Sequence, residues 1–258
     1  MSDDLRILAV PALSDNYVWL LADASGAAIA VDPGEAAPVR AALARENLDL
    51  AAILLTHHHP DHIGGAAALI GDAPIPVYAP HDERIAIPCR RVGDRDRVEL
   101  QSPALRFDVI SIPGHTRSHI AFHGHGIVFC GDTLFSVGCG RMFEGTPEQM
   151  LASLDRLAAL PGDTLVCCGH EYTLANCAFA ETVDPANAAL ARRIVQARAL
   201  RERGAPTLPV SLAEERACNP FLRVDADAII AALPHAPDRV GRFAELRRRK
   251  DGFRAAAA

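Results

Sequence analysis

Positive charge is scarce in this chain outside one terminal stretch. The 258 residues carry 26 lysines and arginines against 32 aspartates and glutamates, a formal charge of −6, and basic residues cluster only near the C-terminus. A general nucleic-acid binder needs a basic face to neutralise phosphates, so that class is excluded. No apolar run approaches the roughly 20 residues that a bilayer span requires, which excludes a membrane partner. The opening Met1-Ser2-Asp3-Asp4-Leu5 is acidic, the wrong sign for a secretory leader, and a cytoplasmic location is expected. C-x-x-C spacing is also absent. The seven cysteines are an odd number, with Cys167 and Cys168 adjacent and Cys130, Cys139, Cys177 and Cys218 scattered. Reduced thiols in a cytosol are the economical reading. Cys130 and Cys167 lie inside apolar runs and read as small core residues. None of the seven stands in the histidine and carboxylate arrangement that a nucleophilic thiol needs. Internal repeats are missing, and the only low-complexity segment is a short alanine tail.

What the chain does contain is imidazole and carboxylate in unusual company. The run Thr56-His57-His58-His59-Pro60-Asp61-His62 puts four histidines and an aspartate in one turn-length stretch. No packing requirement explains that run, whereas zinc, iron or manganese is held by just these ligand types. Its internal position and the interleaved Pro60 and Asp61 exclude a polyhistidine tag. The apolar Ile53-Leu54-Leu55 before it reads as a buried strand, and Ile63-Gly64-Gly65-Ala66 after it opens a helical segment. The histidines are therefore placed on the connecting loop, where open α/β folds put their ligands. Similar strand ends follow. His115 comes after an apolar strand over 107–112, Asp132 after Ile127-Val128-Phe129-Cys130-Gly131, and His170 after Leu165-Val166-Cys167-Cys168-Gly169. A lone histidine after a strand more often hydrogen-bonds in its loop. Four strand ends delivering seven candidate ligands in order point to a metal site.

Strand-like runs at 6–10, 18–22 and 28–31 lead through Asp32-Pro33-Gly34 into a helix over 36–46, and strand and helix alternate up to 168. Near Tyr172 the signal changes. Residues 186–203 read as a long helix ended by Gly204-Ala205-Pro206, with shorter helices around 212–218 and 226–233. Asp238 is an N-cap candidate for a last helix in which Val240, Phe243 and Leu246 recur at helical spacing. On it Arg247 and Lys250 lie three apart and share one face. With half of its residues apolar, a chain of this length has material for one or two domains.

Thr-His-His-His-Pro-Asp-His, Pro-Gly-His-Thr, Gly-Asp-Thr-Leu-Phe and Cys-Gly-His-Glu-Tyr, in that order, resemble the metallo-β-lactamase superfamily. Within it the likeness is to the glyoxalase II, or hydroxyacylglutathione hydrolase, family. It runs from Pro11-Ala12-Leu13-Ser14-Asp15-Asn16-Tyr17 to the arginine- and lysine-rich C-terminal segment. The resemblance implies an α/β fold, an αββα sandwich of two mixed sheets over residues 1–172, followed by a helical substrate-binding domain at 173–258. It implies two divalent metal ions per chain, zinc being the first expectation and iron or manganese compatible with the same ligands. His57, His59 and His115 would hold one ion, Asp61, His62 and His170 the other, and Asp132 would bridge, so that Asp61 and Asp132 help to hold a hydroxide nucleophile. His58 is left as a structural loop residue and His119 as packing behind the ligands. His81, His123, His125 and His235 are read as surface or loop residues.

The same resemblance assigns substrate contacts. Arg141, in the glycine-bearing loop after Asp132, would offer a cation. Phe143 stands where many members have a tyrosine and cannot supply that hydroxyl. Tyr172 matches a position that reaches the substrate, with hinge packing as the alternative. Arg247 and Lys250 would grip the glycine carboxylate of glutathione; read without the resemblance, they are a solvated helix end favoured by the dipole. The implied reaction is hydrolysis of S-D-lactoylglutathione to glutathione and D-lactate, in methylglyoxal detoxification, by a monomer acting on a small-molecule thioester. A thiolate whose conjugate acid has a pKa of about 8.5 leaves without a strong general acid, which agrees with the lack of an obvious spare one. Three rival readings are a lactonase or different acyl-thioesterase on the same fold, a one-iron glutathione persulfide dioxygenase, and a non-catalytic metal or glutathione binder. Asp61 and His62 argue against the second, and the full ligand set argues against the third.

Overall fold

The structure, a computed structural model, describes residues 5–71 and 75–254. The acidic residues 1–4 and the alanines 255–258 lie outside them. The chain divides into two compact units that are discontinuous in sequence. The first is Met1–Ser111, Ser118–Gly131 and Cys167–His170; the second is Ile112–Arg117, Asp132–Val166 and Glu171–Ala258.

The first unit begins with β1 (Arg6–Ala12), β2 (Asn16–Ala22), β3 (Ala27–Val31), α1 (Ala36–Glu46) and β4 (Asp49–Leu54). It continues with α2 (Pro60–Ile63), α3 (Ala66–Ile70), β5 (Val77–Pro80), β6 (Arg90–Val92), β7 (Arg97–Gln101), β8 (Ala104–Ser111), β9 (Ile120–Gly124) and β10 (Ile127–Gly131). One sheet runs β1-β2-β3-β4-β5-β6. Its first three strands are antiparallel, and β3 to β6 are parallel. All seven residues of β2 are buried, so this strand is covered on both faces. Val18 and Leu20 pack with Val39 and Ala42 of α1 and with Ala66 and Leu69 of α3. Trp19, one residue out of phase, donates its indole N–H to the carbonyl of Cys168 at 2.9 Å. The second sheet includes β7, β8, β9 and β10 in antiparallel register. In β8 Leu105, Phe107 and Val109 are buried while Ala104, Arg106 and Asp108 are exposed, the alternation of a strand with one wet face. Two six-stranded sheets, the first carrying α1 and α3 on one face, agree with the αββα class expected from the sequence.

The second unit holds β11 (Leu134–Phe135), β12 (Gly138–Cys139), α4 (Pro147–Ala158), the start of β13 (Leu165–Cys168), α5 (Thr173–Val183), α6 (Ala188–Glu202), β14 (Val210–Ser211), α7 (Leu212–Cys218), α8 (Asp227–Ala232) and α9 (Arg239–Gly252). Asn187 caps α6 by accepting from the amides of Ala189 and Leu190. Thr146 and Gln149 form a reciprocal capping box at the start of α4, with Pro147 inside the first turn. α4 lies in the stretch where strand and helix are expected to alternate and α5 in the expected helical domain, though the sequence reading gives neither helix its own bounds.

Two local expectations change. His57, His58 and His59 lie in a loop, but Asp61 and His62 sit in the first turn of α2, because Pro60 presets a helical φ there. The strand before His115 begins at Ala104 rather than 107. Asp238 does cap α9, accepting from the Gly241 amide at 2.7 Å. Asp238→Ala should lower stability by about 1 kcal/mol in urea unfolding, and Asp238→Asn should leave it nearly unchanged.

Candidate metal centre

The ligand-type side chains of the first unit are arranged by the buried carboxylate of Asp32. It follows β3 at φ +50°, and its amide is tied to the Leu54 carbonyl at 2.9 Å. One oxygen accepts the Thr56 amide at 2.7 Å, and the other accepts the Thr56 hydroxyl at 2.6 Å and lies 3.1 Å from His62 Nδ1. The Thr56 hydroxyl, its proton committed to Asp32, is 3.0 Å from His57 Nδ1 and accepts there. His57 Nε2 lies 3.1 Å from His59 Nδ1, and the ring of His119 stacks on His57 at 4.5 Å. His119 is thus packing behind a ligand-type residue. Close approach of these loops depends on Gly34, where a Cβ would collide with the Asp61 carbonyl.

Asp61, His62 and His170 converge, their donor atoms all within 4.8 Å of one another. His62 Nε2 and His170 Nε2 each lie 3.4 Å from Asp61 Oδ2. Each of these two rings directs its Nδ1 to a carboxylate, His62 to Asp32 and His170 to Asp15 at 2.7 Å. That fixes Nε2 as the lone-pair nitrogen, the arrangement in which a histidine ligates a metal. Asn16 donates to Asp61 Oδ2 at 3.0 Å. Burial alone would raise the Asp61 carboxyl, but its polar neighbours His170, His62 and Asn16 outweigh it and hold the group far below the usual carboxylate range. Two neutral nitrogen donors and an ionised carboxylate fit a divalent transition metal. Asp32, His57 and His62 also cluster. The Asp32 oxygens already accept hydrogen bonds from Thr56 and His62, so Asp32 orients the ligand-type side chains around it.

His115 and Asp132 lie in the second unit, with His115 Nε2 3.5 Å from Asp132 Oδ2. His115 Nδ1 donates to the Arg141 carbonyl at 2.8 Å, again leaving Nε2 to face the carboxylate. The loop at 112–117 runs along that at 132–145, with the Phe143 amide on the His115 carbonyl at 3.2 Å and the Gly145 amide on the Gly114 carbonyl at 3.0 Å. Gly140 allows this, since a Cβ there would collide with the Asp132 carbonyl. Phe143 sets its edge against the His115 ring at 5.3 Å and is 62% exposed.

All five substrate-contact candidates belong to this second unit. Arg141 Nε pairs with Asp251 at 3.2 Å, and Arg247 donates to the same Asp251 oxygen at 3.0 Å and to the Cys139 carbonyl at 2.6 Å. Arg247 is only 5% exposed, with its guanidinium over the Phe221 ring. Lys250 donates to the Ala175 carbonyl at 2.9 Å, between the rings of Phe179 and Phe253. Burial first, and Arg247 second, push its ammonium down to about 8. Tyr172 meets Phe135 edge to face at 5.2 Å.

Among the remaining histidines, His58 lies 3.5 Å from Asp82, whose carboxyl is held down chiefly by Arg84. His81 and His235 are exposed. His125 accepts the Arg106 amide, while His123 is half-buried on β9. All seven cysteines are free thiols. No helix among the described residues is long and apolar enough to cross a membrane.

Two family models match the chain, the metallo-beta-lactamase superfamily over residues 13–170 and the hydroxyacylglutathione hydrolase C-terminus over 171–253. A hydroxyacylglutathione hydrolase of Xanthomonas axonopodis pv. citri (strain 306) is 57% identical over 257 residues, covering 97% of this chain and 100% of the relative. The chain belongs to the hydroxyacylglutathione hydrolase family. Among solved structures, ETHE1 from Myxococcus xanthus aligns with a TM-score of 0.63 at 26% identity over 95% of this chain and 96% of its own. TTHA1623 in a di-iron-bound form aligns with a TM-score of 0.54 at 29% identity over 64% of this chain and 91% of its own.

The orienting roles of Asp15, Asn16, Asp32 and Thr56 are not legible in the sequence. Their only local signal is an acidic or polar residue at a strand end, which any turn also shows. Asp15→Asn should weaken metal retention about 10–100-fold, measured as the chelator concentration that strips half of the bound metal.

Proposed function

We propose that this chain hydrolyses S-(2-hydroxyacyl)glutathione thioesters, with S-D-lactoylglutathione as substrate and glutathione and D-lactate as products, in the removal of methylglyoxal. Full-length identity to a hydroxyacylglutathione hydrolase carries this reading, because it spans both the ligand motifs and the helical segment bearing Arg247 and Lys250. The hydrolase chemistry is that of the family; the particular acyl group, the metal count and the residue roles are our assignment.

In it, His57, His59 and His115 bind one divalent cation, Asp61, His62 and His170 bind a second, and Asp132 bridges them, with zinc as the first candidate. The donor chemistry supports this, as does the relative solved in a di-iron-bound form. Bound cations would supply an ionised water at neutral pH and polarise the thioester carbonyl. The protein's own contribution is orientation. Asp32, Asp15 and the Arg141 carbonyl hold His62, His170 and His115 in the tautomer that presents Nε2. Arg247 and Lys250 would take the glycine carboxylate of glutathione, while Arg141, Phe143 and Tyr172 would line the path of the thiol carrier. A glutathione thiolate leaves unassisted, in keeping with the absence of a general acid among these residues. We place a metal-binding catalytic domain at 1–172, from which Arg141, Phe143 and Tyr172 reach the substrate, and a helical substrate-binding domain at 173–258, in a monomer of a reducing, cytoplasmic compartment suited to seven free thiols.

The test is hydrolysis of S-D-lactoylglutathione, followed by loss of thioester absorbance and release of thiol, before and after metal removal and readdition. Rapid metal-dependent turnover is expected; a metal-loaded protein that cleaves only lactones or other acyl thioesters would refute the substrate. Arg247→Ala and Lys250→Ala should each raise KM about tenfold or more with a smaller change in kcat, since they remove binding common to ground and transition states. The Lys250 cation is present below pH 8 and lost above it, so KM should rise between pH 7 and 9. Lys250→Arg, charged throughout, should flatten that rise.

A further inference from the structure

The turn between β11 and β12 carries the chain from Asp132 to Arg141, and it is held in a conformation its own sequence disfavours. Val137, fully buried, sits at φ +58°, a left-handed conformation that a β-branched side chain resists. Buried side chains from the helical region meet the polar groups of this turn. Glu215 of α7, with no exposure, accepts the Val137 amide on one oxygen and the Ser136 hydroxyl on the other, both at 2.8 Å. Asn219 directs its amide nitrogen at the same carboxylate at 2.9 Å and at the carbonyls of Phe135 and Gly138 at 3.1 and 2.9 Å. Arg193 of α6 donates to the Ser136 hydroxyl at 2.9 Å, and Asn176 of α5 donates to the Ser136 carbonyl at 3.0 Å.

This assembly leads directly to the substrate cations. One residue beyond Gly138 is Cys139, whose carbonyl accepts from Arg247, and two further on is Arg141. Burying a carboxyl group is costly and pushes its pKa up, and an apolar residue at this α7 position would pack without that cost. The buried carboxyl is explained by what it fixes, the Val137 amide and the Ser136 hydroxyl of the turn.

We propose that Glu215 is a positioning residue for substrate binding: through the Val137 amide it sets the β11–β12 turn, and through that turn the places of Arg141 and Arg247. The proposal rests on the reading of Arg141 and Arg247 as glutathione contacts. It assigns the helical region a second task beyond carrying α9, that of fixing the loop attached to the metal-ligand candidate Asp132.

Glu215→Gln keeps the volume but replaces one acceptor with a donor, so the turn loses either the Val137 or the Ser136 bond. Two measurements decide the matter in metal-loaded full-length protein. Amide hydrogen exchange over residues 134–141 should quicken about tenfold or more while α4, in the same unit, stays as protected as in wild type. KM for S-D-lactoylglutathione should rise about fivefold or more, whereas KM for a lactoyl thioester of a short carrier thiol without a carboxylate should stay within about twofold. A merely structural role would lower the active fraction, and so apparent kcat, for both substrates without moving either KM. Should Glu215→Gln not fold, Ser136→Ala, which removes one of the two bonds, is expected to give smaller changes in the same direction. Unchanged exchange at 134–141 in the folded variant overturns the proposal, as does an equal rise of both KM values. A wild-type protein inactive on the glutathione thioester would instead sink the substrate reading, leaving the exchange experiment to judge the turn by itself.

Discussion

The Asp32 carboxylate accepts three hydrogen bonds in a buried space, from the Thr56 amide, the Thr56 hydroxyl and the His62 ring. Through them it ties the end of β3 to the loop after β4 and to the first turn of α2. An ionised carboxylate away from water is tolerable only when its lone pairs are so used. Because they are, two consequences follow at once. His62 presents Nε2, and His57 is tethered through the Thr56 hydroxyl. The same rule extends to His170, whose ring loses its freedom of tautomer and rotation to the Asp15 carboxylate behind it. Precision in such a centre comes from residues that would never touch the metal.

The strands and the seven ligand candidates were legible because each depends on short-range pattern. Apolar runs of four to seven residues ending in glycine, histidine or aspartate can be recognised without knowing what packs against them. The extent of α1 and the cap at Asp238 were legible for the same reason. What could not be read were pairings over long distances. Asp15 with His170, Asn16 with Asp61 and Glu215 with Val137 join residues 155, 45 and 78 apart, and nothing local marks one aspartate or glutamate as the partner of one distant group. The helix α4 was a different omission, since Thr146, Pro147 and Gln149 spell its start in sequence. The place of Asp61 and His62 on α2 likewise follows from Pro60, whose helical signal was outweighed by the histidine run before it.

Composition also bears on the second unit. Sequence alone makes Arg247 and Lys250 look like a solvated helix end, but the structure buries the guanidinium against Phe221 and sets the ammonium between two aromatic rings. Fixing long, flexible cations in this way removes rotamer freedom before any ligand arrives. Asp251 completes the arrangement by sharing one oxygen between Arg141 and Arg247, so the cations are held as a group even when no other anion is near.

The pairing of Asp15 with His170 has a consequence for how the protein is made. During synthesis the chain emerges from its N-terminus, and the histidine run is available long before residue 170 leaves the ribosome. Closing a contact 155 residues long is slow and entropically demanding. Until it closes, the early histidine run lacks the His170 that the proposed second metal set needs, so that set is completed only when the last strand of the first unit is in place.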